Sequence, residues 1–332
     1  MHFLSLPATD PPAPSRRRVG RSILGLVAVA WVIAGLAGVY RYAHDYWLYR
    51  GFKPPAVAAG VAPGHAVEMT FDAAAFGGAT THYLAYLPAG YAQQAAAGRR
   101  FGVLYVLHGH PGRAADILEA GSIGADLDQL VAEHRARPMI IVLPLGDNGP
   151  EGGGDTEWAN MPQGRYDSVL VDLVHDVDSR FATRADRGGR VLAGLSSGAY
   201  AAINVGLHNL KLFGNLQCWS GYFIQTRSGV FKHATIKQLR ENSPEDYVVH
   251  LKPRIRRLGL RAFIYVGNQD HQSRIDELLP FAAKLRAAGA RVTTAEYPGA
   301  HAWSLWRQQM PHMLRVASRW LRAPAHGKPA RA

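Results

Sequence analysis

Hydrophobic and polar positions along most of the chain form short apolar runs of strand length, separated by segments with helical periodicity. In residues 166–181, for example, apolar side chains recur at intervals of three and four, which is typical of an amphipathic helix. Alternation of this kind predicts a mostly parallel sheet with helices on both faces. The predicted strands, of which the first two are antiparallel, are 65–71, 81–87, 101–107, 138–143, 190–193, 214–219, 261–266 and 291–297. The predicted helices are 123–135, 166–181, 199–205, 273–287 and 302–321.

The N-terminal part of the chain has a different pattern. Residues 23–40 are apolar and carry no charge, and as a helix they would extend about 27 Å at about 1.5 Å per residue. This length nearly matches the hydrocarbon core of a bilayer. The predicted segments are a cytoplasmic basic tail at 1–21, a transmembrane signal-anchor helix at 22–40, a linker at 41–64, the α/β domain at 65–322 and a basic tail at 323–332.

Arginines before the apolar run set the expected orientation. Arg16, Arg17, Arg18 and Arg21 precede it, and the positive-inside rule places them in the cytoplasm. The domain after the helix then lies outside the cell membrane. A cleaved signal peptide is the alternative, since Gly35-Leu36-Ala37 fits a small-x-small cleavage site, and the domain is secreted in that case.

Composition and charge narrow the range of partners. The 37 Lys and Arg residues exceed the 25 Asp and Glu residues and give a formal net charge of +12. Much of the excess lies at the two ends of the chain without a nucleic-acid-binding motif, so contact with anionic lipid or simple solvation of these ends is favoured, and no nucleic acid is predicted. The single cysteine, Cys218, excludes an internal disulfide, and its place in a predicted strand favours a buried apolar role.

The first chemical signal is the sequence Gly-Leu-Ser-Ser-Gly at residues 194–198, between a predicted strand and a predicted helix. This G-x-S-x-G turn raises a serine above the sheet, and glycines avoid backbone clashes at its two ends. Ser196 is therefore the candidate nucleophile. The amide of Ser197, at the N-terminus of the following helix, is a candidate donor to an oxyanion.

Two further residues with side chains suited to this chemistry also follow predicted strands. Asp270 comes just after the strand at 261–266, and His301 just after the strand at 291–297. The order Ser196, Asp270, His301 is that of the α/β-hydrolase triad and differs from that of chymotrypsin or subtilisin. Further along the helix that follows Asp270, Asp276 and Glu277 are expected to face solvent.

The loop after the strand at 101–107 reads His108-Gly109-His110. A loop in this position supplies the second oxyanion amide of an α/β-hydrolase, and we assign that amide to His110, because Gly109 lets the chain turn. The alternative is a metal-binding pair of His108 and His110, but no third ligand lies at a recognisable spacing. The sequence contains no P-loop, H-E-x-x-H or dinucleotide-binding motif, so neither a metal nor a cofactor is predicted.

Four stretches carry a family resemblance: 83–91 (YLAYLPAGY), 106–112 (VLHGHPG), 193–198 (AGLSSG) and 299–306 (GAHAWSLW). They resemble the esterase family of α/β-hydrolases, which includes esterase D, the feruloyl and enterochelin esterases and the antigen 85 mycolyltransferases. Members place the catalytic histidine just ahead of such a Trp-x-x-Trp. The resemblance implies an α/β-hydrolase fold with Ser196 as nucleophile, Asp270 as acid and His301 as base. Many relatives have Met in place of Ser197, but only the backbone of that residue is used.

Two insertions, at 147–164 and 222–242, follow strands and are predicted to form the walls of an apolar acyl groove with a polar rim. The alternative is that both are ordinary surface loops. The candidate substrate-binding residues are His108, Gly109, Glu157, Trp158, Tyr222 and Trp303.

Together these residues predict a serine esterase that cleaves carboxylic esters through an acyl-enzyme intermediate. If a sugar hydroxyl accepts the acyl group instead of water, the protein is a cell-envelope acyltransferase, as the mycolyltransferase branch of the family implies. The expected partners are an ester or acyl-lipid substrate, a sugar acceptor in the second case, and the membrane. A non-catalytic binding protein is the third alternative, since fold alone does not determine function.

Overall fold

The computed structural model describes residues 16–146, 156–161 and 164–321. Most of the predicted N-terminal tail, the C-terminal tail at 323–332 and much of the insertion at 147–164 lie outside the described residues. The chain divides into an N-terminal unit that ends at Gly51 and a second unit that begins at Phe52.

The described part of the N-terminal unit contains one long helix, α1 (Arg16–Tyr49). Its segment Leu24–Tyr49 is long and apolar enough to cross a membrane, a test that a signal sequence would also pass. The prediction that a linker begins at residue 41 is wrong, because no Pro or Gly interrupts 41–49 and the helix continues. It ends where Arg50 and Gly51 adopt positive φ angles of 53° and 81°.

The second unit is built on one large sheet. Its strands are β1 (His65–Ala73), β2 (Ala79–Leu87), β3 (Val103–Leu107), β4 (Ile140–Pro144), β5 (Asn160–Met161), β6 (Gly164–Arg165), β7 (Arg190–Leu195), β8 (Asn215–Trp219), β9 (Arg261–Gly267) and β10 (Arg291–Tyr297). The eight-stranded sheet has the order β1-β2-β4-β3-β7-β8-β9-β10, and β5 pairs separately with β6. The strands from β4 to β10 in this order are parallel, whereas β2 pairs antiparallel with both β1 and β4.

Helices connect the strands. They are α2 (Tyr91–Ala96), α3 (Ala114–Glu119), α4 (Ile123–Ala132), α5 (Tyr166–Arg180), α6 (Ser197–His208), α7 (Ile236–Glu241), α8 (Pro244–Tyr247), α9 (Lys252–Leu258), α10 (Gln272–Ala287) and α11 (Trp303–Trp320). Every helix and strand that the periodicity predicts in this unit is present, with ends shifted by a few residues. The antiparallel start of the sheet is present as well.

Successive residues of the central strands face two separate hydrophobic cores. In β3, Tyr105 and Leu107 belong to one core, and Leu104 and Val106 belong to the other, because side chains of a strand alternate between its faces. Helices α5, α6 and α10 cover the first face, and α4 and α11 cover the second. The predicted parallel sheet with helices on both faces is confirmed.

Candidate active site

Ser196 lies on a sharp turn between β7 and α6. Its backbone has φ 56° and ψ −122°, a conformation that residues other than glycine rarely adopt. A Cβ on Gly194 would lie 2.2 Å from the carbonyl oxygen of Gly198, and a Cβ on Gly198 would lie 2.2 Å from that of Leu107. The turn therefore needs glycine at both positions, as the motif predicts.

Side chains that follow three different strands form one hydrogen-bonded chain. The Nε2 atom of His301 lies 2.8 Å from Oγ of Ser196, and its Nδ1 atom lies 2.9 Å from Oδ2 of Asp270. Because a carboxylate only accepts hydrogen bonds, Nδ1 donates to Asp270, and Nε2 of the neutral ring accepts from the Ser196 hydroxyl. The structure thus brings together the three residues that the order along the chain selects.

The carboxyl of Asp270 is fully shielded from solvent. Burial alone would raise its pKa, but the hydrogen bond and charge of His301, the amide of His271 and the charge of Arg274 outweigh burial, so that the pKa is lowered. The His271 amide donates to Oδ1 at 2.7 Å, and Nη1 of Arg274 lies 3.4 Å from the same oxygen. Asp270 is therefore an ionised carboxylate whose two oxygens are both held in place.

The two amides predicted for an oxyanion site belong to segments that contact Ser196. Ser197 is the first residue of α6, where an amide has no partner within the helix. Gly109 approaches Ser196 closely, since a Cβ on Gly109 would lie 2.8 Å from the Cβ of Ser196. The amide of His110 comes next in the chain, and the His110 side chain is exposed.

His108 fastens the loop after β3 instead of lining an open groove. Its Nε2 accepts a hydrogen bond from the amide of Gly146 at 3.1 Å, and its Nδ1 lies 2.9 Å from the carbonyl oxygen of Gly109. Trp158 packs against the His108 ring with centroids 5.2 Å apart and donates from its indole to the His108 carbonyl oxygen at 3.3 Å. Both ring nitrogens of His108 are engaged, which argues against a metal ligand. Trp158 is only 3% exposed, so it too supports the loop from behind.

Glu157 and Tyr222, which come from the two insertions, lie next to each other. The Tyr222 hydroxyl donates to Oε2 of Glu157. The Tyr222 ring stacks on Tyr200 with centroids 5.2 Å apart, and the Arg274 guanidinium lies 5.5 Å from its centroid. Arg274 also pairs with Asp270, so it joins these residues to the hydrogen-bonded chain of Asp270, His301 and Ser196. We call Glu157, Tyr222 and Arg274 the polar wall.

Two tryptophans of α11 lie on one side of His301. Trp306 packs edge-on against the ring of His301, with centroids 5.0 Å apart and an interplanar angle of 86°. Trp303 packs edge-on against Trp306 with centroids 5.5 Å apart. The predicted residue Trp303 therefore contacts His301 through Trp306, which is 6% exposed.

The motifs do not reveal every residue that contacts Asp270 or His301. Arg274 stands four residues after Asp270, and an acid–arginine pair at this spacing is the signal that could have identified it. Trp306 is part of the family stretch, but its packing on His301 is not evident from it. Glu277 is half-buried and not fully exposed to solvent as expected. Its Oε2 accepts a hydrogen bond from the amide of Phe223 at 2.8 Å, and this bond anchors the start of the second insertion. Burial raises the pKa of Glu277.

Residues 74–317, most of the chain, match the model of the Esterase family. The chain belongs to the esterase family. The resemblance carried by the four sequence stretches is therefore confirmed. A curated relative, an endo-1,4-beta-xylanase/feruloyl esterase of Xylanibacter ruminicola, is 30% identical over 138 residues, which are 41% of this chain and 19% of the relative. The chain thus spans about a fifth of the length of this relative.

Solved structures of esterases share the fold. A ferulic acid esterase superposes with a TM-score of 0.67 at 24% identity and covers 78% of this chain and 99% of its own. A substrate-bound fluorophosphonate-binding serine hydrolase of Staphylococcus aureus has a TM-score of 0.62 at 17% identity, and the match covers 77% of this chain and 99% of the hydrolase. An S-formylglutathione hydrolase of Agrobacterium tumefaciens has a TM-score of 0.62 at 14% identity, and the match covers 81% of this chain and 100% of the hydrolase. The predicted α/β-hydrolase fold is confirmed.

Proposed function

We propose that the protein is a serine esterase in which Ser196 is the nucleophile, His301 the base and Asp270 the acid of a catalytic triad. The observation that carries this proposal is the continuous hydrogen-bonded chain from Ser196 through His301 to Asp270. Membership of the esterase family supports the same activity. Cys218, the only thiol, is fully buried, and burial raises its pKa to about 12, which argues against a thiol nucleophile.

In the first half of the proposed reaction, Oγ of Ser196 attacks the ester carbonyl carbon while Nε2 of His301 takes the hydroxyl proton. The negative charge moves to the carbonyl oxygen, where the amides of Ser197 and His110 stabilise it. The carbon–oxygen bond of the ester then breaks, and His301 gives its proton to the departing alcohol. Asp270 stays ionised and stabilises the imidazolium.

In the second half, water attacks the acyl-enzyme on Ser196. His301 takes a proton from the water and returns it to Oγ, so that the free acid leaves and the enzyme is restored. A sugar hydroxyl in place of water would give the acyltransferase alternative with the same residues in the same roles.

A series of p-nitrophenyl esters with acyl chains of increasing length tests the proposal. Methyl ferulate belongs in the series because several relatives are feruloyl or ferulic acid esterases. Free acid as the only acyl product supports the esterase, whereas acylated glucose in reactions that contain glucose supports the acyltransferase. Failure to cleave every ester, together with no labelling by a fluorophosphonate probe, would leave the non-catalytic binding protein.

The polar wall yields a prediction about substrate binding. Tyr222→Phe keeps the stack on Tyr200 but removes the hydroxyl that holds Glu157. We expect KM to rise by about five- to tenfold, because Glu157 loses a hydrogen bond worth about 1 kcal/mol that positions it at the polar wall, while kcat stays within about twofold. Steady-state kinetics on the best ester of the series measure both constants.

Tyr83→Phe is the matched control for this variant. Tyr83 also donates its hydroxyl to a carboxylate, that of Asp176 at 2.8 Å, but it lies on β2 and not at the triad. Its kinetic constants should stay at wild-type values. An equal rise of KM in both variants, or a loss of kcat alone in Tyr222→Phe, would show that the polar wall does not bind substrate.

We further propose that α1 is retained as an anchor with its N-terminus in the cytoplasm, which leaves the catalytic domain at 65–322 outside the membrane. Its apolar segment and the preceding arginines support this topology. The full-length protein should stay in the membrane fraction after carbonate washing, and protease added to spheroplasts should digest the catalytic domain. A mature N-terminus at Gly38 would instead show a cleaved signal peptide, and protection from protease would reverse the orientation.

A further inference from the structure

A cavity of about 230 Å³ lies at the end of the sheet remote from Ser196. Gly102, just before β3, and Pro138 and Met139, just before β4, contribute to its lining. Ser196 follows the carboxyl end of the parallel strand β7, whereas this cavity lies at the amino ends of β3 and β4. The cavity is therefore separate from the proposed catalytic site.

Four arginines line this cavity, and no acidic side chain does. They are Arg99, Arg100, Arg137 and Arg184. Within the described part of the chain, no carboxylate lies within ion-pair distance of the first three. Arg184 lies 3.4 Å from Asp186, whose side chain is 60% exposed and does not line the cavity. The cavity therefore carries positive charge that its own lining does not neutralise.

Neutral partners hold two of these guanidinium groups in place. Arg184 donates from Nη1 to the carbonyl oxygen of Leu321 at 2.8 Å. Arg99 donates to the amide oxygen of Gln94 and stacks over the Phe101 ring at 5.1 Å. These carbonyl oxygens and the Phe101 ring fix the direction of the donors and carry no net charge of their own. Such an arrangement lowers the conformational entropy that an anion would have to overcome on binding.

We propose that this cavity binds a phosphate group, either on a small soluble phosphate compound or on the headgroup of an anionic lipid. Guanidinium groups match the oxygens of phosphate in charge and in fork-like geometry. A volume of about 230 Å³ is below the range of about 300–1,000 Å³ typical of pockets for larger organic ligands. It suits one phosphate group with a small substituent, and an acyl chain does not fit the cationic lining.

Thermal unfolding of the full-length protein in neutral detergent tests this site. The midpoint is followed while inorganic phosphate or glycerol 3-phosphate replaces chloride at constant ionic strength. We expect a saturable rise of the midpoint, because a ligand that binds only the folded state stabilises it. Arg137→Ala and Arg100→Ala should weaken binding by at least about tenfold. Arg137→Lys should also weaken it, because the charge remains but the fork is lost.

Arg257→Ala is the matched control. Arg257 is exposed on α9 and does not line the cavity, so its removal lowers the net charge equally but should leave phosphate binding unchanged. Ester turnover should be the same in all these variants, because the cavity is remote from Ser196.

A second arm identifies the source of the phosphate group. Phosphatidylglycerol is added to the micelles in place of soluble phosphate, and the same variants are compared. A response to either ligand that is lost in Arg137→Ala but kept in Arg257→Ala supports the site and names its source. No saturable response in either arm, or an equal loss in Arg257→Ala, would overturn it.

Discussion

Ser196→Ala is expected to lose ester turnover by about 10⁶-fold, the order of loss that follows removal of a triad serine. Without Oγ no acyl-enzyme forms, and His301 has no hydroxyl proton to accept. The turn itself depends on the backbone and on Gly194 and Gly198, so the fold should persist. Hydrolysis of a p-nitrophenyl ester and labelling by a fluorophosphonate probe measure the loss, and circular dichroism checks the fold.

Ser197→Ala is the control, since it changes the adjacent serine. Ser197 is buried at the first position of α6, and the proposed mechanism uses only its amide. Turnover of this variant should stay within a few-fold of wild type, because alanine is a good helix former. Peptide mapping of the labelled wild-type protein should place the probe on Ser196. Labelling that persists in Ser196→Ala, or a probe on Ser197, would refute the nucleophile assignment.

The arrangement of Ser196, Asp270 and His301 could be predicted because local rules determine it. Each of these residues follows a strand that the apolar pattern identifies. Parallel neighbours place their carboxyl ends at one edge of the sheet, so that residues far apart in the chain meet there. The glycines at 194 and 198 add a steric reason, since any side chain there would meet backbone at 2.2 Å.

The surroundings of Ser196, Asp270 and His301 could not be predicted in the same way, because they depend on contacts between distant segments. Tyr222 forms a hydrogen bond with Glu157, which lies 65 positions away in the chain, and the hydrophobic periodicity does not predict such a pair. The sequence does not show whether Trp158 lines a groove or packs behind a loop. In the structure its ring packs against His108 and against Gly146, where the absence of a side chain leaves space for it. Family stretches contain His108 and Trp306 without revealing what they contact.

Short helices were missed for a related reason. α2, α3 and α7 have six residues each, which is too few for an apolar face to repeat. α7 has a capping box from Thr235 and Gln238, a local signal that could have identified it. At the C-terminal end of α1, the apolar run ends at Tyr40, but no Pro or Gly in 41–49 opposes continuation of the helix.

Asp270→Asn is expected to keep its fold and to lose about 10⁴-fold in turnover. The carboxylate accepts the proton on Nδ1 of His301 and so leaves Nε2 free to accept from Ser196. An asparagine that donates its amide favours the opposite tautomer, in which Nε2 carries the proton and cannot act as the base. Asp276→Asn, a change of the same kind at an exposed position of α10, should keep wild-type turnover.

Acid stability gives a second readout of Asp270. Because the pKa of this carboxyl is lowered in the folded protein, the ionised form stabilises the fold above the unfolded-state pKa of about 3.9. This contribution is lost as the pH falls through the lowered pKa. Asparagine takes up no proton in this pH range. The free energy of unfolding, measured by urea titration at about pH 5 and again below about pH 3.9, should therefore fall more in wild type than in Asp270→Asn. Turnover of the variant within tenfold of wild type, or the same acid dependence in both proteins, would contradict the role of Asp270.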